Sequence, residues 1–292
     1  TDDRTIPGSY ASAERPATEL RADPDRVAEA RRLLPGHGGS TPLDRLAELA
    51  ARLLGAEHSQ ISLLTDVQVV AAAEGLPPGT AGSEGPLQDS LCTVTAAGTG
   101  SLVVSDARSD ERVRDLPPVT SGQVGSYLGA PLVTSEGHTI GALCVFGPEA
   151  RDWSDTDATV LRQLAASVVT ELELSALVRQ YDSDRMRWGL AIDAAGIGTY
   201  DWDLAEDRLL WDEQLIRLFG YDVESFEQNI AAFTARLHPD DVVRVHDSLQ
   251  ACIDTVGEFD SEYRVVRPDG ETRWVHARGR PLAGPHGRAV RL

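Results

Sequence analysis

The chain predicts an α+β protein of two domains, each with a central antiparallel sheet flanked by helices, the two joined by one long helix. Three observations carry that expectation. Paired apolar runs around short polar turns occur in two separate regions, near 60–73 with 127–146 and near 259–282. Helix-spaced apolar stripes surround each of them. After Ser154 the helical spacing continues for about forty residues, roughly 60 Å, which exceeds what one globular domain needs. A length of 292 residues also suits two domains that each bury a core.

The elements follow in order. Residues 1 to about 23 mix charge, Pro and small side chains without periodicity and are expected to lack regular structure. Pro24 to Leu34 reads as a short helix, ended by Pro35-Gly36-His37-Gly38-Gly39. Ser40 or Thr41 as cap, Pro42 at the first helical position and Asp44 in the first turn start the next helix. Its stripe is Leu43, Leu46, Leu49, Ala50 and Leu53, and Gly55 stops it. Gln60–Leu64 and Val67–Ala73 make a hairpin around Thr65-Asp66, followed by a Gly/Pro-rich loop from Gly75 to Pro86. A helix at Leu91–Ala97, a strand at Leu102–Val104 and a short helix at Asp110–Leu116 come next. Tyr127–Thr134 and Thr139–Phe146 form a second hairpin around Glu136-Gly137. Their apolar runs scarcely alternate, as in a sheet covered on both faces.

Ser154 with Asp157 three residues on is a capping box whose acid stands in for Glu. The long helix behind it carries Leu161, Leu164, Ala165, Val168, Leu172, Ala176 and Leu177, with Asp182-Ser183-Asp184 as its weak point. The third part reads as strands at Gly198–Leu204 and Arg208–Trp211. Small helices follow through Phe219, around Ser225 and at Ile230–Arg236, and a longer one opens at His238-Pro239-Asp240-Asp241 and runs to Thr255. Phe259–Arg267 and Glu271–Leu282 alternate across Pro268-Asp269-Gly270, where Gly takes a positive φ. The expected result is a second, five-stranded sheet whose last strand starts near Arg288.

Composition excludes several functions. A formal charge of −19 argues against a nucleic-acid surface, which needs a basic stripe. The three cysteines, Cys92, Cys144 and Cys252, are far apart and form no CxxC, which fits a reducing compartment; the expected location is cytoplasmic. No apolar run approaches a bilayer crossing, so no membrane partner is expected. The chain begins at Thr1 and stops at Val290-Arg291-Leu292 in a strand-like pattern, and is read as a piece of a longer protein. Neither GxxxxGK[ST] nor a strand-bound GxGxxG is present for nucleotide phosphates.

Two sets of segments resemble known families. Asp89-Ser90-Leu91-Cys92, Ser105-Asp106-Ala107, Gly129-Ala130-Pro131-Leu132 and Ile140-Gly141-Ala142-Leu143-Cys144-Val145 resemble a GAF domain. Gly196-Ile197-Gly198-Thr199-Tyr200-Asp201-Trp202-Asp203, His238-Pro239-Asp240-Asp241 and Tyr263-Arg264-Val265-Val266-Arg267-Pro268-Asp269-Gly270 resemble a PAS domain. The resemblance covers nearly the whole chain. It implies a flexible segment and short helix over 1–39, a GAF-like domain over 40–153, a signalling helix over 154–195 and a C-terminally truncated PAS-like domain over 196–292. Both families hold small ligands or protein partners and relay the result along helices.

Cys92 and Cys144 stand where one GAF subgroup often carries Cys. Some GAF-fold enzymes reduce free methionine sulfoxide with several thiols, but in motifs absent from this chain, and Cys144 in an apolar strand reads as a small buried hydrophobe. The seven histidines show no zinc-type pairing. His238 reads as a cap beside Asp240 and Asp241, and His246 as a solvent-facing helix residue in preference to a haem ligand. The aromatics Tyr200, Trp202, Trp211, Phe219, Phe259, Tyr263 and Trp274 concentrate in the third part and either fill or line a cavity there. Flavin and bilin attachment motifs are missing.

The expected ligand-pocket residues are thus Cys92, Tyr127, Cys144, Tyr200, Trp202, Trp211, Phe219, Tyr263 and Trp274. No catalytic residue, metal ligand or cofactor is expected, and the ligand is unnamed. Leu161, Leu164, Val168, Leu172 and Leu177 are the expected seam of a parallel homodimer. The favoured function is a sensory module that passes ligand or partner state to a C-terminal effector. A metal-dependent serine/threonine phosphatase of the sporulation-regulator type is the preferred effector, with a histidine kinase or diguanylate cyclase as alternatives. A thiol-dependent methionine sulfoxide reductase is the enzymatic alternative.

Overall fold

The computed structural model describes residues 14–36, 41–224 and 226–292. Packing divides the chain into two units between Asp182 and Ser183.

In the first unit the chain runs through α1 (Glu14–Arg21), α2 (Pro24–Leu33), α3 (Thr41–Leu54), β1 (His58–Leu64), β2 (Gln68–Glu74), β3 (Glu84–Gly85) and α4 (Leu91–Ala97). It continues through β4 (Leu102–Val104), α5 (Pro117–Thr120), β5 (Ser126–Val133), β6 (Thr139–Gly147) and the start of α6 (Asp155–Ala195). The strands form one antiparallel sheet in the order β3-β2-β1-β6-β5-β4. The central strands β5 and β6 are buried along nearly their whole length because helices cover both faces. On one face α2, α3 and α6 pack Leu33, Leu43, Ala47, Leu161 and Val168 against Ile61 and Leu143. On the other, α1 and α4 and the connecting loops enclose Leu64, Tyr127, Ala142 and Cys144. Gly141 permits the close approach of β6 to β1: a Cβ there would lie 2.0 Å from the Ser62 carbonyl oxygen.

Several expectations change here. Residues 14–21 are helical, not irregular, and bury Ala17 and Leu20 in the core, which a patternless composition did not reveal. Asp110–Leu116 forms turns, and the short helix lies one step later at Pro117–Thr120, where Pro occupies the first helical position. In α3 the buried stripe is Leu43, Ala47, Ala50, Ala51 and Leu54, with Leu53 exposed. The helix stop at His37-Gly38-Gly39 and the Ser40 cap lie outside the described residues.

Helix α6 opens with the expected capping box: the Ser154 amide donates to Asp157 Oδ2 at 2.9 Å, and the Asp157 amide donates to Ser154 Oγ at 3.1 Å. It runs through Asp182-Ser183-Asp184 without a break. Its buried residues end at Ala176. Leu161, Val168 and Leu172 are buried inside the single chain, and Leu164 is half-buried against the same core. Four of the five residues expected at a dimer seam therefore already have a partner, and Leu177 alone is exposed. Helical spacing shows that a face is apolar, not which surface receives it.

The second unit contains β7 (Tyr200–Asp203), β8 (Arg208–Trp211), α7 (Glu213–Phe219), α8 (Ile230–Thr234), α9 (Val242–Thr255), β9 (Phe259–Val266), β10 (Thr272–Gly279), β11 (Leu282–Ala283) and β12 (Ala289–Arg291). Ser225, where a further small helix is expected, lies outside the described residues. In place of one five-stranded sheet there are two ladders, β11-β12-β7-β8 and β10-β9. The division falls at Arg280-Pro281, where Pro has no amide to donate to a ladder. The core gathers Phe219, Phe233, Val245, Leu249, Tyr263 and Val265 from helices and sheet.

His238 Nδ1 accepts from the Asp240 amide at 3.3 Å, as expected of a cap, while Asp241 plays a different part. It occupies the cap position of α9, but its side chain makes no capping bond. Its carboxylate instead accepts from the Arg264 amide and from Arg264 Nε, both at 2.9 Å, tying the start of α9 to β9. The Arg264 guanidinium holds the Asp241 carboxyl well below the usual carboxylate range.

Candidate functional site

Expected pocket residues line two cavities, one in each unit, that differ in size by an order of magnitude. The second unit's cavity measures about 40 Å³ and is lined by Tyr200, Trp202, Trp211, Phe219, Phe233 and Tyr263 among others. That is room for water-sized occupants only, since one water needs about 10–15 Å³ on this measure. The aromatics close it themselves. Trp211 stacks on Phe226 with centroids 4.3 Å apart and tilts against Phe219 at 4.4 Å, and Phe233 meets Tyr263 edge-on at 5.7 Å. Burial pushes the Tyr200 hydroxyl up to about 12, and its buried oxygen has no hydrogen-bond partner.

Trp274, expected on the same wall, is 69 % exposed and lies outside this cavity. The register pairs Tyr263 with Val275 and Arg264 with Trp274. Val275 is therefore on the inner face with Tyr263, while Trp274 is on the outer face under the Arg264 guanidinium, 5.6 Å from the ring centroid. His246, expected to face solvent, is half-buried and hydrogen-bonded through Nε2 to Thr234 Oγ1 at 2.9 Å.

The first unit's cavity measures about 460 Å³, within the range of small-molecule sites. Its polar wall comes from His58, Gln60, Gln68, Asp89, Ser90 and Gln123, and its apolar wall from Leu76, Leu91, Val124, Phe146 and several prolines. The exposed Gly75 and Pro77 on its rim place the mouth at the protein surface. Cys92, Tyr127 and Cys144, all expected at a pocket, lie together in its wall.

Local structure fixes this group. Ser90 caps α4, its hydroxyl accepting from the Cys92 amide at 3.1 Å. That start places Cys92 and Thr95, three apart, on one helix face over the sheet. Tyr127 comes from β5 and Cys144 from the adjacent β6. The Cys92 and Cys144 sulfurs are 3.7 Å apart. The Tyr127 hydroxyl lies 2.8 Å from Thr95 Oγ1 and 3.9 Å from Cys92 Sγ. Gly129, two residues along β5 on the Tyr127 face, leaves the space this contact occupies: a Cβ there would lie 2.5 Å from the Tyr127 hydroxyl and 2.6 Å from Thr95 Oγ1.

Electrostatics separate the two thiols. The hydrogen bond from Cys144 is the largest influence on Cys92 and holds its thiol below the ordinary range against the opposing cost of burial, with Ser62, Tyr127 and Ser90 assisting. The same contact, then burial, drives Cys144 well up, and burial drives Tyr127 up. Ser62 is oriented by two amides, with Gln60 Nε2 donating to its Oγ at 2.7 Å and Gln68 Nε2 at 2.9 Å. The glutamines and Ser62 were missed in the sequence, where polar residues inside apolar strands were the available signal. Among the described residues no group of three or more His, Cys, Asp or Glu could hold a metal, and no helix is long and apolar enough to cross a membrane.

Comparison with known proteins agrees with the two-part architecture. A family model described as a GAF domain matches residues 40–172, and one described as a PAS fold matches residues 208–292. A cyclic di-GMP phosphodiesterase of Pseudomonas aeruginosa is 37% identical over 89 residues, or 30% of this chain and 15% of that protein. The sensor protein FixL of Bradyrhizobium diazoefficiens is 30% identical over 101 residues, or 35% of this chain and 20% of that protein. The matched segments are thus a small part of either relative. Among solved structures, the GAF domain of an Acinetobacter phosphoenolpyruvate-protein phosphotransferase is similar at 18% identity and a TM-score of 0.42, covering 53% of this chain and 96% of that one.

Proposed function

We propose that this chain, a GAF domain followed by a PAS domain, senses a small molecule in the GAF cavity and uses the PAS domain as a packed relay. The observation that carries the reading is the contrast between about 460 Å³ in the GAF domain and about 40 Å³ in the PAS domain. Gln60, Gln68, Gln123 and Asp89 around an apolar floor suit a neutral or weakly cationic polar ligand.

The test is hydrogen exchange on the full chain, screened against small polar metabolites. Bound compounds should protect β1, β2 and α4, and Leu76→Trp at the cavity wall should abolish that protection. Protection confined to α8, α9 and β9, or binding untouched by Leu76→Trp, would overturn the assignment.

The relay requires a partner for the exposed part of α6, and we assign a second copy of this chain. Leu174, Val178, Tyr181, Arg185, Trp188 and Ile192 recur at alternating spacings of four and three, the period of a two-helix seam. Leu174, Val178, Tyr181 and Trp188 are all more than half exposed. Arg185, at one inward position, is the kind of polar residue that sets register. For the effector, the sequence preference is a metal-dependent serine/threonine phosphatase. The relatives, a cyclic di-GMP phosphodiesterase and a sensor protein, favour second-messenger output at least as strongly. Assays of the parent protein on a phosphoserine peptide and on cyclic di-GMP separate these.

A further inference from the structure

We infer that Cys92 and Cys144 are a thiol–disulfide exchange site whose substrates are low-molecular-weight disulfides entering through the GAF cavity. Five observations place the parts. The two sulfurs are in contact at 3.7 Å, both thiols are free, and both line a cavity of about 460 Å³. The rim at Gly75 and Pro77 is exposed, and both cysteines, 3 % and 1 % exposed, line the cavity behind it. Cys252, the third thiol, lies in the other unit on α9, with its Sγ against the Gly257 carbonyl at 3.4 Å.

The hydrogen-bond pattern assigns the roles. Cys92 is the nucleophile, because the Tyr127 hydroxyl donates toward its sulfur at 3.9 Å and the Cys144 thiol lies against it at 3.7 Å, both favouring its charged form. Tyr127 has one phenolic proton and two neighbours. With the thiol protonated it donates to Thr95 Oγ1, whose own hydrogen goes to the Leu91 carbonyl at 3.0 Å. When Cys92 ionises, the same proton turns to the sulfur. Cys144 is the resolving thiol, since it sits in a central strand with its charged form disfavoured until a leaving thiolate is present to accept its proton.

The chemistry balances without a further reagent. The Cys92 thiolate attacks one sulfur of R–S–S–R, forming a mixed disulfide and releasing RS⁻, which takes the Cys144 proton. The Cys144 thiolate then attacks the Cys92 sulfur and expels the second RS⁻, protonated by solvent. Two protein thiols and one disulfide become one protein disulfide and two small thiols. The new bond would tie α4 to β6 and remove both thiols from the cavity wall. The proposal needs the cavity but no physiological ligand in it, so it survives if the screen above finds none.

The full chain is equilibrated with 2-hydroxyethyl disulfide, quenched by alkylation under unfolding conditions, and mapped by mass spectrometry. Alkylatable thiols should fall from three to one, Cys252, with a Cys92–Cys144 linked peptide that dithiothreitol reverses. Cys144→Ala should stop at the mixed disulfide on Cys92. The wild-type map alone suffices if that variant folds poorly. Cys92 and Cys144 both still alkylatable after a free reference thiol has fully exchanged would overturn the proposal, as would an adduct on Cys144 with Cys92 free.

Discussion

Phe219→Ala tests whether the PAS aromatics fill the domain or wall a ligand site. Phe219 is 1 % exposed, lies 4.4 Å from the Trp211 ring and 6.0 Å from Phe233, and borders a cavity of only about 40 Å³. Removing its ring adds on the order of 100 Å³, and at about 24 cal/mol per Å³ the uncollapsed part costs roughly 2 kcal/mol. The lost transfer of the ring from water adds roughly 2 kcal/mol more. The sum, about 4 kcal/mol, falls within the range of about 3–5 kcal/mol for buried Phe→Ala changes. Trp274→Ala is the internal control. Its ring is 69 % exposed and has one cation–π contact, to Arg264, so its loss should cost no more than about 1 kcal/mol. Urea unfolding followed by tryptophan fluorescence reads this unit selectively, because Trp188, Trp202, Trp211 and Trp274 lie in it and Trp153 alone lies elsewhere. A Phe219→Ala loss below about 1 kcal/mol would refute the packing argument, since cavity and transfer costs cannot both vanish in a filled core.

Three further outcomes are expected. Leu172→Asp should unfold or strongly destabilise the GAF domain, because it places a charge in that domain's core; Val178→Asp and Tyr181→Asp should leave the melt intact and yield monomers by light scattering. If wild type is itself monomeric at high micromolar concentration, the α6 seam is wrong. Asp241 has a depressed folded-state pKa, so its contribution to PAS stability is present above the unfolded value near 4 and is lost as pH falls through the folded one. Asp241→Asn should therefore weaken this domain at neutral pH and flatten its acid dependence, which pH-resolved urea titrations would show. Gly129→Ala should push the Tyr127 hydroxyl off Thr95 and reshape the cavity wall, lowering ligand protection and the melting temperature together; an unchanged melt would contradict the tight space described at β5.

Sequence pattern alone located the first unit's two hairpins, the capping box at Ser154, the helix at Leu91–Ala97 and the Gly270 turn, because each rests on local chemistry: a cap, a period or a positive φ. It also brought Cys92 and Cys144 forward as pocket residues through their family contexts, with Tyr127 beside them. What it left undecided depended on pairing across the fold. Trp274 was assigned to the wrong face because strand parity follows from the register with Tyr263 and Arg264, which no local window contains. The Leu161–Leu172 stripe was apolar as expected, yet its partner proved to be the chain's own sheet. Asp240 and Asp241 read only as acids at a helix start, and it took Arg264, on a distant strand, to show that Asp241 ties α9 to β9. The cavity sizes were decided last and only in three dimensions, since volume is what remains after every side chain has been placed: a mixed polar and apolar wall leaves about 460 Å³ in one domain, and an aromatic one closes to about 40 Å³ in the other.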